Sequence, residues 1–281
     1  MSHAIQTDFW SVVGHSVCGA SHRRRGLANQ DAIGWAGSGE SGLVAAVADG
    51  HGSASCFRSA TGAALAVEAA LAVLREFAER SLDDEAAAGG AADLPGLVVS
   101  RWREMVNRHL AESPFGISEA PAGDGRDRTP WRAYGSTLLA VLATPSHMVY
   151  LQLGDGDILV VSDSGAVARP WPKDARLLGV ETTSLCGPDA VEETRVAIEP
   201  HAGASPAMVL LATDGYANSF REDHGFLRAG EDFLEIVRES GMEGVERNLE
   251  SWLNEATELG SGDDITLAIL CRTALGARNG G

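Results

Sequence analysis

Six aspartates stand where an apolar run meets a turn. Asp49 closes the run 43–48, Asp214 follows 208–212 and Thr213, and Asp263 and Asp264 open 265–270. Asp31 precedes the apolar Ile33-Gly34-Trp35, and Asp155 sits in the turn Gly154-Asp155-Gly156-Asp157. A carboxylate at the end of a buried strand, with glycine beside it, is held on a rigid element while the backbone stays open to close approach by a ligand. If these ends meet, their charges repel unless a cation compensates. Oxygen donors without His or Cys select a hard ion such as Mg²⁺ or Mn²⁺. Taken singly, each aspartate is an ordinary turn or cap residue, because Asp bonds its own backbone there. Independent turn aspartates need not all terminate apolar strands, so the repeated placement argues for a site.

The elements that must position them are short strands. Apolar runs at 43–48, 137–142, 148–153, 158–161, 208–212 and 265–270 are bounded by turn residues, and the turn between the third and fourth predicts an antiparallel hairpin. Helices are expected over 59–79 and 97–110, and over the stripe Val245, Leu249, Trp252, Leu253 and Ala256, which repeats at helical spacing. Residues 81–95 and 113–130 read as surface insertions, rich in Ala, Gly and Pro. Strand signals flank both, so one domain over 1–281 is expected, with a motif-bearing core at about 9–272 and a frayed tail from residue 274.

The chain of 281 residues carries 22 Lys and Arg against 39 Asp and Glu, a formal charge of −17. That balance argues against nucleic acid or an anionic membrane as partner, since both are bound through basic patches. The start, residues 1–10, lacks the basic and apolar regions of a secretory leader, and no apolar stretch reaches the length of a membrane span. Four scattered cysteines, Cys18, Cys56, Cys186 and Cys271, form no CxxC pair. Free, mostly buried thiols in a cytoplasmic protein are expected.

Six segments taken in order carry a resemblance. Asn29-Gln30-Asp31-Ala32, Val47-Ala48-Asp49-Gly50-His51-Gly52, Tyr134-Gly135-Ser136-Thr137-Leu138-Leu139, Leu153-Gly154-Asp155-Gly156-Asp157, Ala212-Thr213-Asp214-Gly215 and Gly262-Asp263-Asp264-Ile265-Thr266 resemble the motif set of the metal-dependent protein phosphatases of type 2C, the PPM family, in a compact bacterial form. The match spans about residues 14–272. The resemblance implies an α+β four-layer sandwich, two stacked antiparallel β-sheets flanked by α-helices on both outer faces. It also implies hydrolysis of phosphoserine and phosphothreonine in phosphoproteins by water, with two Mg²⁺ or Mn²⁺ ions. Asp49 would bridge the ions, the Gly50 carbonyl would ligate the second, and Asp214 and Asp263 would hold the first. Asp31 would act through ion-bound waters, and Asp155 matches a carboxylate that helps hold a third ion. His51 resembles the family's proposed general acid. A bacterial Ser/Thr kinase or its targets are the partners the family suggests.

Three departures stand out. The usual phosphate-gripping arginine position is Gly26, with Arg23, Arg24 and Arg25 just upstream and Arg25 nearest. A glutamate common before Asp31 is Gln30, which removes a charge beside the second ion. The residues after Asp155 are Gly156 and Asp157, a further carboxylate for a third ion. Two rival readings remain open: a catalytically weak phosphatase-like domain that binds metal or phosphoprotein without turnover, and a cysteine-dependent phosphatase using Cys18 and Arg24, whose spacing fits Cys-x₅-Arg. The second lacks an expected helix after Cys18 to lower the thiol pKa.

Overall fold

The computed structural model describes residues 4–38, 42–80, 89–116, 119, 129–174, 176, 182–201 and 205–273. The strands are β1 (Ile5–Gln6), β2 (Trp10–Val17), β3 (Ala32–Ser38), β4 (Gly42–Ala48), β5 (Leu138–Ala143), β6 (His147–Leu153), β7 (Asp157–Val161), β8 (Val167–Ala168), β9 (Arg195–Pro200), β10 (Met208–Ala212) and β11 (Ile265–Arg272). They form a six-stranded sheet ordered β1-β2-β11-β10-β7-β8 and a five-stranded sheet ordered β3-β4-β5-β6-β9. Every neighbouring pair is antiparallel.

The helices are α1 (Ala20–Arg25), α2 (Ser59–Arg80), α3 (Leu94–Glu112), α4 (Ala190–Glu193), α5 (Asp214–Ala217) and α6 (Asp223–Leu259), the last broken at Gly241, where φ is 68°. Strand side chains alternate between faces, and here both faces are covered. Leu43, Ala45 and Val47 join Leu139, Val141, Tyr150, Val209, Leu211 and Leu270 between the sheets. Val44, Ala46 and Ala48 turn outward against α2 and α3. The other sheet presents Leu210, Ala212, Leu267 and Ile269 to Phe233, Val245, Leu249 and Leu253 of α6. The result is the expected helix–sheet–sheet–helix sandwich. Burial on both faces explains why the strands read as continuous apolar runs.

The helical stripe expected near the C-terminus lies in the second half of α6. α3 starts at Leu94, three residues early, because Pro95 falls in the first turn, where its missing N–H is no loss. Residues 81–88 and most of 117–128 of the two expected insertions lie outside the described residues, as does the tail from residue 274. Among the described residues no helix is long and apolar enough to cross a membrane. Cys56 and Cys271 are buried and Cys18 and Cys186 half-buried, all four as free thiols.

One packing contact sets how α2 meets the site-bearing segment before β5. A Cβ on Gly62 would sit 1.8 Å from the Tyr134 carbonyl oxygen, and the Gly62 carbonyl accepts a bond from Trp102 Nε1 at 2.9 Å. Gly62→Ala is therefore expected to cost about 2–3 kcal/mol through overpacking against backbone. Gly96→Ala, with open space around its Cβ, should gain about 0.5 kcal/mol from helix propensity. Urea midpoints of the two variants check this; equal shifts would remove the role given to Gly62.

Candidate active site

One edge of the sandwich collects the strand ends that carry the aspartates. Register fixes this: Ala48 at the end of β4 faces Ala32 at the start of β3, and Ala212 at the end of β10 faces Asp157 on β7 and Leu267 on β11. Asp31, Asp49, Asp155, Asp214 and Asp263 thus come from both sheets to one end. A cleft of about 860 Å³ opens there, lined by Asp49, Gly50, His51, Asp155, Asp214 and Asp263. Asp31 stands behind it, one oxygen accepting from Thr213 Oγ1 at 2.8 Å.

The backbone around these groups is held tightly. Asp49 N donates to Thr137 Oγ1 at 3.0 Å, and Thr137 N donates to the Asp49 carbonyl at 2.9 Å. Gly50 pairs with Ser136, and a Cβ there would come 2.6 Å from the Gln30 carbonyl oxygen and 2.8 Å from that of Ser59. Asp264, only 4% exposed, is a staple: its Oδ1 accepts from Gly19 N at 2.6 Å and its Oδ2 from Gln30 N at 2.7 Å. It ties the start of β11 to α1 and to the chain entering Asp31. Gln30 spends its side-chain amide on Ser59 Oγ at 2.9 Å.

The electrostatics are those of crowded anions. Burial pushes the Asp31 carboxyl up to about 8; the neighbouring Thr266 hydroxyl and the bond from Thr213 pull it down, and Asp264 and Asp214 repel it further. Asp49 is raised well above the usual carboxylate range by burial and by Asp31, Asp214 and Asp263. Asp214 is raised to about 6 by burial and then by Asp155. Oδ1 of Asp31 and Oδ1 of Asp214 are buried with no donor in reach; the neighbour of Asp214 is Asp49, which offers a hydrogen bond only when one of the two is protonated. Among the described residues no three His, Cys, Asp or Glu side chains form a closed ligand set as they stand. Unpartnered buried carboxylate oxygens that repel each other, with a backbone carbonyl beside them, nonetheless fit hard divalent cations better than any other ligand.

Of the three arginines, the short helix α1 turns only Arg25 into the cleft. Arg23 bonds the Cys18 carbonyl and pairs with Glu258 at 2.5 Å, and Arg24 donates to Ser21 Oγ at 3.1 Å. His51 lies in the cleft, its backbone N donating to the Gly135 carbonyl at 3.1 Å. Burial lowers its pKa, with Asp155 pulling the other way, so the imidazole is mostly neutral at pH 7. Two further lining residues were not anticipated. Arg132 comes from the turn just before the Tyr134-Gly135-Ser136-Thr137 segment. His22 places Nδ1 3.0 Å from Asp264 Oδ1 and Nε2 3.7 Å from Asp263 Oδ1. Only their position beside recognised motifs could have pointed to them.

Two expectations need correction. A helix does follow Cys18, namely α1, but it does not activate the thiol: burial and the Asp264 charge raise the Cys18 pKa, the opposite of what a nucleophile needs. Asp157 is not open to an ion beside Asp155. It is buried and paired with Arg169 and, at 3.5 Å, Lys173, while Arg169 also grips Asp223 at 2.6 Å. Those pairs fasten residues 169–173 to the sandwich; residues 175 and 177–181, further along that segment, lie outside the described residues.

A family model described as protein phosphatase 2C matches residues 18–254. The comparison with curated proteins finds no match. Among solved structures, the serine/threonine phosphatase Stp1 from Staphylococcus aureus superposes with a TM-score of 0.60 at 13% identity, over 96% of this chain and 97% of that one. The catalytic domain of the serine threonine protein phosphatase PstP, in complex with two manganese ions, gives 0.58 at 18% identity, over 94% and 98%. PstP/Ppp from Mycobacterium tuberculosis gives 0.54 at 17% identity, over 94% and 98%.

Proposed function

The chain belongs to the protein phosphatase 2C family and is a metal-dependent protein serine/threonine phosphatase; from that premise we propose that two Mg²⁺ or Mn²⁺ ions bind in the cleft between the sheet ends. Asp49 would be shared between them, the Gly50 carbonyl would complete the second site, Asp214 and Asp263 would hold the first, and Asp31 would act through ion-bound waters. Asp155 would help hold a weaker third ion. Bound there, such ions neutralise phosphate charge and acidify water into a nucleophile. The chain's own part is to hold the carboxylates at fixed strand ends and to grip the phosphate with Arg25. His51 is placed to pass a proton to the leaving serine or threonine oxygen, although burial limits how much of it is protonated. The observation that carries this reading is the set of crowded, mutually repelling carboxylates, with buried, unpartnered oxygens on Asp31 and Asp214, at a cleft that Arg25 enters.

The substrates are phosphoproteins; a bacterial Ser/Thr kinase or its targets is the proposed source. We read residues 1–281 as one domain, since both sheets share one inner core, and place it in the cytoplasm, where four free thiols are stable.

The test is turnover of a phosphothreonine peptide. Activity is expected with Mn²⁺ or Mg²⁺ and none with EDTA; turnover that survives chelation would sink the proposal. Arg25→Ala should raise KM by roughly tenfold or more, the scale of a lost charge-assisted hydrogen bond. Arg23→Ala should leave KM alone, because its partner is Glu258. A KM effect confined to Arg23 would reverse the assignment.

A further inference from the structure

Two thiols with no part in that chemistry meet beside it. A Cβ on Gly135 would sit 3.0 Å from Cys56 Sγ, 3.1 Å from Cys186 Sγ and 2.8 Å from His51 Cδ2. The two sulfurs and the imidazole therefore crowd one point, and the sulfurs lie within about 6 Å of each other, so that a disulfide of ~2.05 Å requires the two loops that carry them to draw together. Both cysteines line the cleft with Asp49 and His51. Cys56 belongs to the turn between the Asp49 motif and α2, and Cys186 to the segment that precedes α4. Cys18 stands at α1, and Cys271 is buried in the layer beneath α6.

We propose that Cys56 and Cys186 form a modification site, at which a hydroperoxide oxidises the pair to a disulfide that closes the cleft. The Cys186 sulfur, the more accessible of the two, attacks the peroxide oxygen; the O–O bond breaks, water or an alcohol leaves, and a sulfenic acid remains. The Cys56 sulfur then displaces the hydroxyl, which departs as water with the thiol proton. Two thiols lose two electrons and one hydroperoxide gains two. Burial raises the Cys186 thiol pKa, while Ser184, 3.3 Å away, and the Arg132 charge pull it down, so the attack is slow at neutral pH and faster as pH rises. The bond ties the 53–58 turn to the 182–189 segment within the lining of the cleft, beside His51. Loss of turnover rests on the phosphatase reading; the cross-link does not.

The experiment treats the full-length, Mg²⁺-loaded protein with hydrogen peroxide and follows two readouts, a non-reducing peptide map and phosphopeptide turnover. Expected are a linked Cys56–Cys186 peptide and at least a tenfold fall in turnover, reversed by dithiothreitol. Cys56→Ser and Cys186→Ser should each retain activity in peroxide, while Cys18→Ser should respond like the unsubstituted protein. Absence of the linked peptide overturns the proposal, as does inactivation that persists in both serine variants or a linked peptide with unchanged turnover. An untreated protein without turnover would instead count against the phosphatase reading, and the peptide map would still decide the cross-link.

Discussion

Asp49→Asn is expected to remove metal-dependent turnover by at least about 10³-fold, roughly 4 kcal/mol of transition-state stabilisation, and at the same time to make the metal-free protein more stable. Asparagine keeps the shape of the side chain, and the pair of bonds between the Asp49 backbone and Thr137 is unaffected. What goes is the one charge on which both proposed ions depend. In the metal-free fold that charge is a burden: burial and the nearness of Asp31, Asp214 and Asp263 all oppose it. Removing it should raise the melting temperature in EDTA by about 2–3 °C, which for a chain of this size corresponds to roughly 1–2 kcal/mol. Mn²⁺ should then stabilise the variant far less than the unsubstituted protein. Turnover assays and melting curves with EDTA and with Mn²⁺ decide the matter. A variant that loses activity and metal-free stability together would make Asp49 structural.

The aspartates were legible in the sequence because each sits at the end of a run whose burial is itself legible. Asp49 follows seven buried strand residues, and Asp214 follows five by way of Thr213. What failed is equally physical. β2 carries Gly14 and His15 in its middle, which weaken a strand signal, yet Gly14 is required: a Cβ there would come 2.7 Å from Ile33 Cδ1 and 2.8 Å from the Leu267 carbonyl oxygen. The edge strand β9 is only half-buried and charged at its start, so no apolar run marks it. Three adjacent arginines are indistinguishable as text. On a helix successive residues point ~100° apart, and α1 sends Arg23 to Glu258 and Arg25 to the cleft. Asp264 looked like a twin of Asp263; only tertiary contact with Gly19 and Gln30 separates staple from proposed ligand. Arg132 and His22 were missed because proximity across the cleft leaves no local pattern.

The pH dependence of the metal-free protein should run against habit. Most paired carboxylates stabilise a fold as pH rises, and Asp223, lowered to about 2 first by its bond from Arg169, follows that rule: its contribution is full above the unfolded value near 4 and lost as pH falls toward 2. Asp31 and Asp214 do the reverse. Their folded values, about 8 and about 6, exceed the unfolded value, so the folded state binds their protons more tightly than the unfolded chain does. Stability from that source is complete below about pH 4 and drains away as pH climbs through 6 and then 8. A divalent cation that replaces those protons should invert the trend, because its binding releases them and therefore tightens with pH. Melting temperatures from pH 4.5 to 8.5 should fall in EDTA and hold or rise in Mn²⁺, so that the two curves diverge most between pH 6 and 8. Asp31→Asn should flatten the upper part of the EDTA curve. If the EDTA-treated protein instead gained stability from pH 5 to 8, the carboxylates could not be the buried, mutually repelling set on which the metal site is argued.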